Sequence, residues 1–329
     1  MPRLFGQDHV VTFFRNAWAS GRRGRAYLLV GPDGVGKFLH ALECARGILC
    51  RERPFDPCGT CGRCTASARL EDQNLFVVQR PEEKKSISIE QLRPLERRLQ
   101  LKPVDEKLRI VLVRDADLLS EEGANWHLKA LEDSPLYTQA LFLLTCSRPD
   151  ALPATVRSRC QTVRFLALPE KEVARFLVDE KGVEKDRAAF LARFSGGSLG
   201  RALALTEQAF AELRAWIVGN LQLLEKGDLS EVAERLIGFS SKGDGAEEHR
   251  RRASDALEVI VLCLRDLLLA REGARAIPAN PEVAAMSGLL AGRDLPRLME
   301  RLIQAQSLLA GNVNPKLATE HALLGFDVE

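Results

Sequence analysis

The octapeptide GPDGVGKF, Gly31–Phe38, spaces three glycines and a lysine as a phosphate-binding turn does. A strand feeding that turn and a helix leaving it would gather backbone N–H groups at the positive end of a helix dipole. Gly31, Gly34 and Gly36 would shape the turn, and Lys37 would reach the β- and γ-phosphates. The pattern then calls for Ser or Thr, whose hydroxyl ligates Mg²⁺, and the position holds Phe38. A second metal-side carboxylate should follow another apolar strand as Asp-Glu. RIVLV at 109–113 is followed instead by Arg114 and Asp115, so a cation replaces the carboxylate and Asp115 stands where a catalytic glutamate would. Phosphoryl transfer relies on Mg²⁺ to neutralise developing charge, and both departures fall on that one ion. The expectation is a loop kept for folding, with no Mg·ATP bound and no hydrolysis. Weak metal-free nucleotide binding stays open.

A second constellation lies just downstream. CRERPFDPCGTCGRC places Cys50, Cys58, Cys61 and Cys64 at short spacing, with turn-forming Gly59 and Gly62 between them. Four thiolates so arranged can close a tetrahedral site on Zn²⁺, and a closed site has no open position for catalysis, so the metal would be structural. An iron–sulfur cluster is the other metal that closely spaced cysteines serve. The remaining cysteines, Cys44, Cys146, Cys160 and Cys263, sit in apolar contexts and read as small core residues.

The elements that must position these groups follow from periodicity. Residues 12–21 read as an amphipathic helix, and AYLLV at 26–30 as a buried strand running into the glycine turn. The next helix should bury Leu39, Leu42, Ala45 and Leu49. NLFVV at 74–78, RIVLV and ALFLL at 140–144 are short apolar runs of the kind that fill a parallel sheet. Ser88 and Gln91 suit a capping box at the start of a helix. GANWHLKALED is a helix between the last two strands, with Asn125 and Lys129 on one face where a phosphate contact is plausible, and Trp126 as packing. Strand–helix alternation of this kind indicates a doubly wound α/β domain. Beyond Leu168-Pro169 the chain turns helical. One apolar stripe runs through Phe210, Leu213, Ile217, Leu221 and Leu224, and another through Leu257, Ile260, Val261, Leu264 and Leu268.

Across 329 residues the formal net charge is only +2, which argues against a purely electrostatic nucleic-acid binder. No run approaches the ~18 apolar residues of a membrane span. MPRLFGQDHV has no secretory pattern, so a cytoplasmic protein is expected, where eight cysteines would not form a disulfide framework.

Taken in order, GPDGVGK, the cysteine cluster, VRDADLL, NWHLKALEDSP and LPATVRSRC resemble the AAA+ module of bacterial DNA polymerase III clamp-loader subunits, the delta-prime type more than the ATP-hydrolysing gamma/tau type. The resemblance runs from GQDHV to NVNPKLATEHALL, with Arg25 where the family usually has His. It implies a P-loop AAA+ domain with a parallel sheet over 1–167 and a Cys₄ zinc module at 50–64. A small helical lid over 168–207 and an all-α collar for oligomerisation over 208–329 would complete the chain. In that family the arginine of the Ser158-Arg159-Cys160 triplet acts as a finger in a neighbour's ATP site, Arg157 being a nearby decoy. Cys146 and Ser147 fall at the first sensor. The second-sensor arginine aligns with Gly200, leaving Arg201 one position off. The resemblance further implies gamma/tau-like and delta-like partner subunits, with sliding clamp and primer-template DNA reached through the complex. An active ATPase motor with unusual metal ligation is the alternative, and a stand-alone zinc-dependent nucleic-acid module a third reading.

Overall fold

A computed structural model describes residues 4–53, 55–81, 84, 86–100, 108–131, 140–238, 246–273, 280–309 and 313–326. They divide into two compact units, residues up to Gly182 with Ser195–Ala202, and Val183–Phe194 with Leu203 onward.

The first unit begins with helix α1 (Asp8–Ala19), which buries Val10, Phe14 and Trp18 one turn apart. Then come β1 (Ala26–Val30), α2 (Lys37–Leu49), α3 (Gly62–Ala68), β2 (Leu75–Val78), α4 (Ile89–Gln100), β3 (Arg109–Val113), α5 (Glu121–Leu131), β4 (Ala140–Cys146), α6 (Ala154–Ser158), β5 (Gln161–Arg164) and α7 (Glu170–Lys181). The five strands pair in parallel in the order β2-β3-β4-β1-β5. Every residue of β3 and β4 is buried, as the unbroken apolar runs require of central parallel strands. The order sends the chain from β1 to the far edge and back, so the turns after β1, β3 and β4 share the carboxyl end of the sheet, where α/β proteins bind ligands. Tyr27 anchors α1 through an edge-on contact with Phe14 at 5.1 Å. The outer edge of β5 is blunted by side chains near α1: His9 Nε2 lies 2.9 Å from Arg164 O, and Gln7 brackets Leu166 by donating to its carbonyl and accepting from its amide.

Two sequence expectations shift. In α2 the buried set is Lys37, His40, Ala41, Ala45, Arg46, Gly47 and Leu49, while Leu42 is half-buried and Leu39 is 44% exposed, because the helix turns its small residues toward the sheet. β5 was not visible as a strand, since only Val163 among its four residues is buried. The capping box forms in its reach-back half, Ser88 N–H donating to Gln91 Oε1 at 3.0 Å.

The second unit holds α8 (Lys185–Phe194), and the chain reaches it again through α9 (Leu199–Ala204), whose first residues belong to the first unit. It continues with α10 (Gln208–Gly219), α11 (Leu223–Lys226), α12 (Leu229–Gly238), α13 (Ala246–Arg271), α14 (Pro281–Ala284), α15 (Leu295–Leu309) and α16 (Pro315–Leu323). The Phe210 stripe is buried throughout, while α13 buries Leu257, Ile260, Cys263, Leu264 and Leu267. A polar cluster ties these helices together. Arg214 lies over the Phe190 ring at 4.5 Å and donates to Asn280 Oδ1 and Glu282 Oε1. The fully buried Asp266 accepts from both Asn280 nitrogens. The segment expected as a lid, 168–207, is shared, with α7 and 195–202 in the first unit and α8 in the second. No helix among the described residues is long and apolar enough to cross a membrane.

Candidate functional site

The glycine turn sits where the strand order places it, at the end of β1 with α2 leaving it, and Gly34 and Gly36 take φ of 72° and 94°, which favour glycine. Lys37 does not extend into solvent. Its side chain is 5% exposed, and the ammonium donates to Gly31 O at 2.7 Å, Pro32 O at 2.7 Å and Ser147 Oγ at 2.8 Å. Three donors meet three internal acceptors, two in its own loop and one at the end of β4, so the group that would grip a phosphate is satisfied internally. Ser147 in turn donates to Asp33 Oδ1. Burial lowers the Lys37 pKa, opposed by the carboxylates of Asp33, Asp115 and Asp117.

The two departures at the metal position meet in space. The Arg114 guanidinium carbon stands 5.2 Å from the centroid of the Phe38 ring, a cation–π stack worth about 0.5–1 kcal/mol at a partly exposed site. Arg114 Nε also lies 3.6 Å from Asp115 Oδ2. Asp115 adopts a left-handed φ of 55°, its amide donating to Thr145 Oγ1 at 2.8 Å, and burial raises its pKa while Arg114 works the other way. The two residues that stand where the sequence pattern calls for metal ligands thus touch each other beside the glycine turn.

Gly200, the aligned second-sensor position, packs on the same loop. Its amide donates to Gly34 O at 2.8 Å, and a Cβ at 200 would stand 2.9 Å from Gly34 Cα. Installing the arginine, Gly200→Arg, is expected to cost about 1–3 kcal/mol through overpacking. The readout is the urea midpoint of the whole chain, and an unchanged midpoint would show that the close approach is unimportant.

Arg159 lies at the opposite end of the sheet face, as the C-cap of α6, exposed, with Nη1 donating to Thr155 O at 3.1 Å. Arg157 pairs with Asp150 at 3.2 Å. Asn125 is exposed on α5 and Trp126 is buried in the core. Lys129 follows Asn125 by one turn of that helix, its side chain outside the described residues.

The four cysteines converge. The sulfurs of Cys50, Cys58, Cys61 and Cys64 all lie within 4.8 Å of one another, with Cys58 and Cys64 at 3.9 Å. A regular S₄ tetrahedron with Zn–S distances of about 2.3 Å has edges of about 3.8 Å, so the donor set fits a metal of that size. Backbone N–H groups of Arg53, Cys61 and Cys64 point at the sulfurs of Cys50, Cys58 and Cys61 at 3.3–3.4 Å, which stabilises thiolates. The Cys61 amide and its neighbours hold the Cys58 pKa down to about 6, and N–H donors bring Cys50 down against its burial. Burial pushes the Cys64 thiol up to about 12. These four residues could bind a metal. Beside them, Arg63 and Asp72 form a buried ion pair at 2.6 Å that fastens α3 to the loop entering β2. Of the other cysteines, Cys146, Cys160 and Cys263 are buried and Cys44 is half-buried.

Residues 6–169 match the family model described as DNA polymerase III, delta subunit. The DNA polymerase III subunit tau/gamma of Haemophilus influenzae is 33% identical over 225 residues, 64% of this chain and 31% of that protein. The gamma/tau subunit of Mycobacterium bovis is 29% identical over 276 residues, 78% of this chain and 47% of that protein. The chain thus spans about a third to a half of the length of these curated relatives. Among solved structures, the RuvB Holliday junction branch migration motor of Thermotoga maritima aligns at a TM-score of 0.42 and 17% identity, covering 88% of this chain and 91% of that one.

Proposed function

We propose that this chain, whose residues 6–169 match the family model described as DNA polymerase III, delta subunit, is a clamp-loader subunit of the delta-prime type. It hydrolyses no ATP itself and presents Arg159 to the ATP site of a neighbouring gamma/tau-like subunit during sliding-clamp loading. A delta-like subunit completes the ring, the helical second unit joins it to its neighbours, and clamp and primer-template DNA are met through the complex. Asn125 and Lys129 on α5 are the candidates for a direct DNA phosphate contact. Structural Zn²⁺ on Cys50, Cys58, Cys61 and Cys64 holds the loop between α2 and α3.

The observation that carries this reading is the Phe38–Arg114 stack. It removes both Mg²⁺ ligands at once and leaves a positive charge where a divalent cation would sit, so a bound metal would face repulsion as well as missing ligands. Gly31, Gly34, Gly36 and Lys37 then serve to fold the loop, and Asp115 serves to pair with Arg114.

The names of the relatives favour a second reading, an ATP-hydrolysing gamma/tau-like motor. Equilibrium dialysis of the full chain with labelled ATP separates the two. The expected result is no micromolar binding whether or not Mg²⁺ is present. Micromolar Mg²⁺-dependent binding with turnover would establish the motor and end the delta-prime assignment.

A further inference from the structure

Parallel sheets are normally covered on both faces, and the face of β5 that carries Thr162 and Arg164 departs from this. Val163 and Phe165 point into the core under α1 and α2, whereas Thr162 and Arg164 are exposed and Leu166, just beyond, is 61% exposed. The short α6 packs against β5 at one end of this face. The result is a groove of about 670 Å³ whose floor is made by Leu28 and Val30 of β1 and whose walls include Arg157, Arg164 and Leu166.

The charges of this groove are of one sign and poorly matched. Arg164 makes no ion pair among the described residues, and only its backbone carbonyl is engaged, by His9. Arg157 has Asp150, itself 96% exposed and so held weakly by the fold. An aliphatic floor flanked by two guanidiniums offers one apolar pocket and, at Arg164, a guanidinium not paired with a carboxylate among the described residues, with Arg157 shared with Asp150 beside it. Base stacking is not provided for, because Phe165, the aromatic residue of the lining, is buried.

We infer that the β1–β5 face is a docking groove for an acidic segment of a partner protein that inserts one large aliphatic side chain beside Leu166. Arg157 and Ser158 of this surface adjoin Arg159, yet peptide binding to the full chain reads the groove without depending on the roles given to Arg159 and the glycine loop.

The test uses the full chain and an array of twelve-residue peptides, each with three acidic residues and one leucine placed at varied spacing. Control peptides carry lysine for the acidic residues, or serine for leucine. Fluorescence polarisation should find acidic, leucine-bearing peptides that bind at least tenfold more tightly than either control. Arg164→Glu and Leu166→Asp should each weaken that binding at least tenfold, and both positions are exposed, so circular dichroism should show an unchanged fold. No preference over the controls, or binding indifferent to both substitutions, overturns the proposal. A single-stranded oligonucleotide that binds the full chain and is lost in Arg164→Glu, with no peptide bound, overturns it in favour of nucleic acid.

Discussion

Replacing Arg159 with alanine is expected to lower DNA-stimulated ATP hydrolysis by the assembled clamp loader about 10³–10⁵-fold, the range for loss of an arginine finger. That corresponds to about 4–7 kcal/mol of transition-state stabilisation. The size of the effect follows from how the guanidinium is held. Val156 is fully buried and pins the single turn of α6 to the core, and Cys160 buries directly after the arginine, so Arg159 leaves a rigid corner between α6 and β5. Its hydrogen bond to the Thr155 carbonyl is one that a neighbour's γ-phosphate, being charged, would outcompete. Alanine removes the guanidinium and little packing, because the side chain is exposed. The measurement is steady-state ATPase of the chain reconstituted with an ATP-hydrolysing partner subunit, with size-exclusion chromatography to show that assembly persists. Arg157→Ala, which breaks an ion pair with exposed Asp150, should change the rate far less. ATPase that survives in the Arg159 variant would falsify the finger assignment.

How much of this could be read from residues alone varied with how local the cause was. β1 and β3 lie where their apolar runs put them, since four consecutive buried side chains in β1 and five in β3 need no distant information. The metal-side losses were legible as residue types, Phe38 and Arg114, yet their contact spans 76 positions and depends on β1 and β3 ending on the same side of the sheet. Likewise, Lys37 matches a phosphate-binding lysine in type and position. Its capture by two carbonyls of its own turn and by Ser147 needs the loop geometry and the end of β4 together. Gly200 showed only as a glycine at the position aligned with an arginine, and the structure adds what the sequence could not, a backbone–backbone approach to Gly34 that a side chain would crowd. The groove beside β5 gave no signal, because its strand alternates around a single buried valine and its floor belongs to a strand more than a hundred residues earlier.

Stripping the metal from Cys50, Cys58, Cys61 and Cys64 is expected to unfold the 50–64 loop and to loosen α1 and α2 with it. Structural zinc in small cysteine sites contributes apparent binding free energies of about 10–16 kcal/mol near neutral pH. A whole domain is stable by only about 5–15 kcal/mol, so the apo loop has little else to hold it. The site is also wired into the core. Cys50 caps α2, and Phe55 between the ligands takes a strained φ of 67°. Phe55 is kept there by the hydrogen bond its backbone N–H donates to Gly47 O and by ring contact with Trp18 at 5.4 Å, while Trp18 belongs to the buried face of α1. Without four thiolates drawn to one ion, the like charges that N–H donors stabilise on neighbouring sulfurs would repel, and the strain at Phe55 would have no opposing tie. Elemental analysis of purified protein should give close to one zinc per chain. Adding a strong chelator should release it with a change in Trp18 fluorescence, absent from a Trp18→Phe control, and a fall in the thermal midpoint. Cys58→Ser should reproduce both changes without chelator. Lower pH should ease zinc release, because protons compete for the same sulfurs. Iron in place of zinc would reassign the site to a cluster, and metal-free protein with an unchanged midpoint would leave the four cysteines as ordinary thiols.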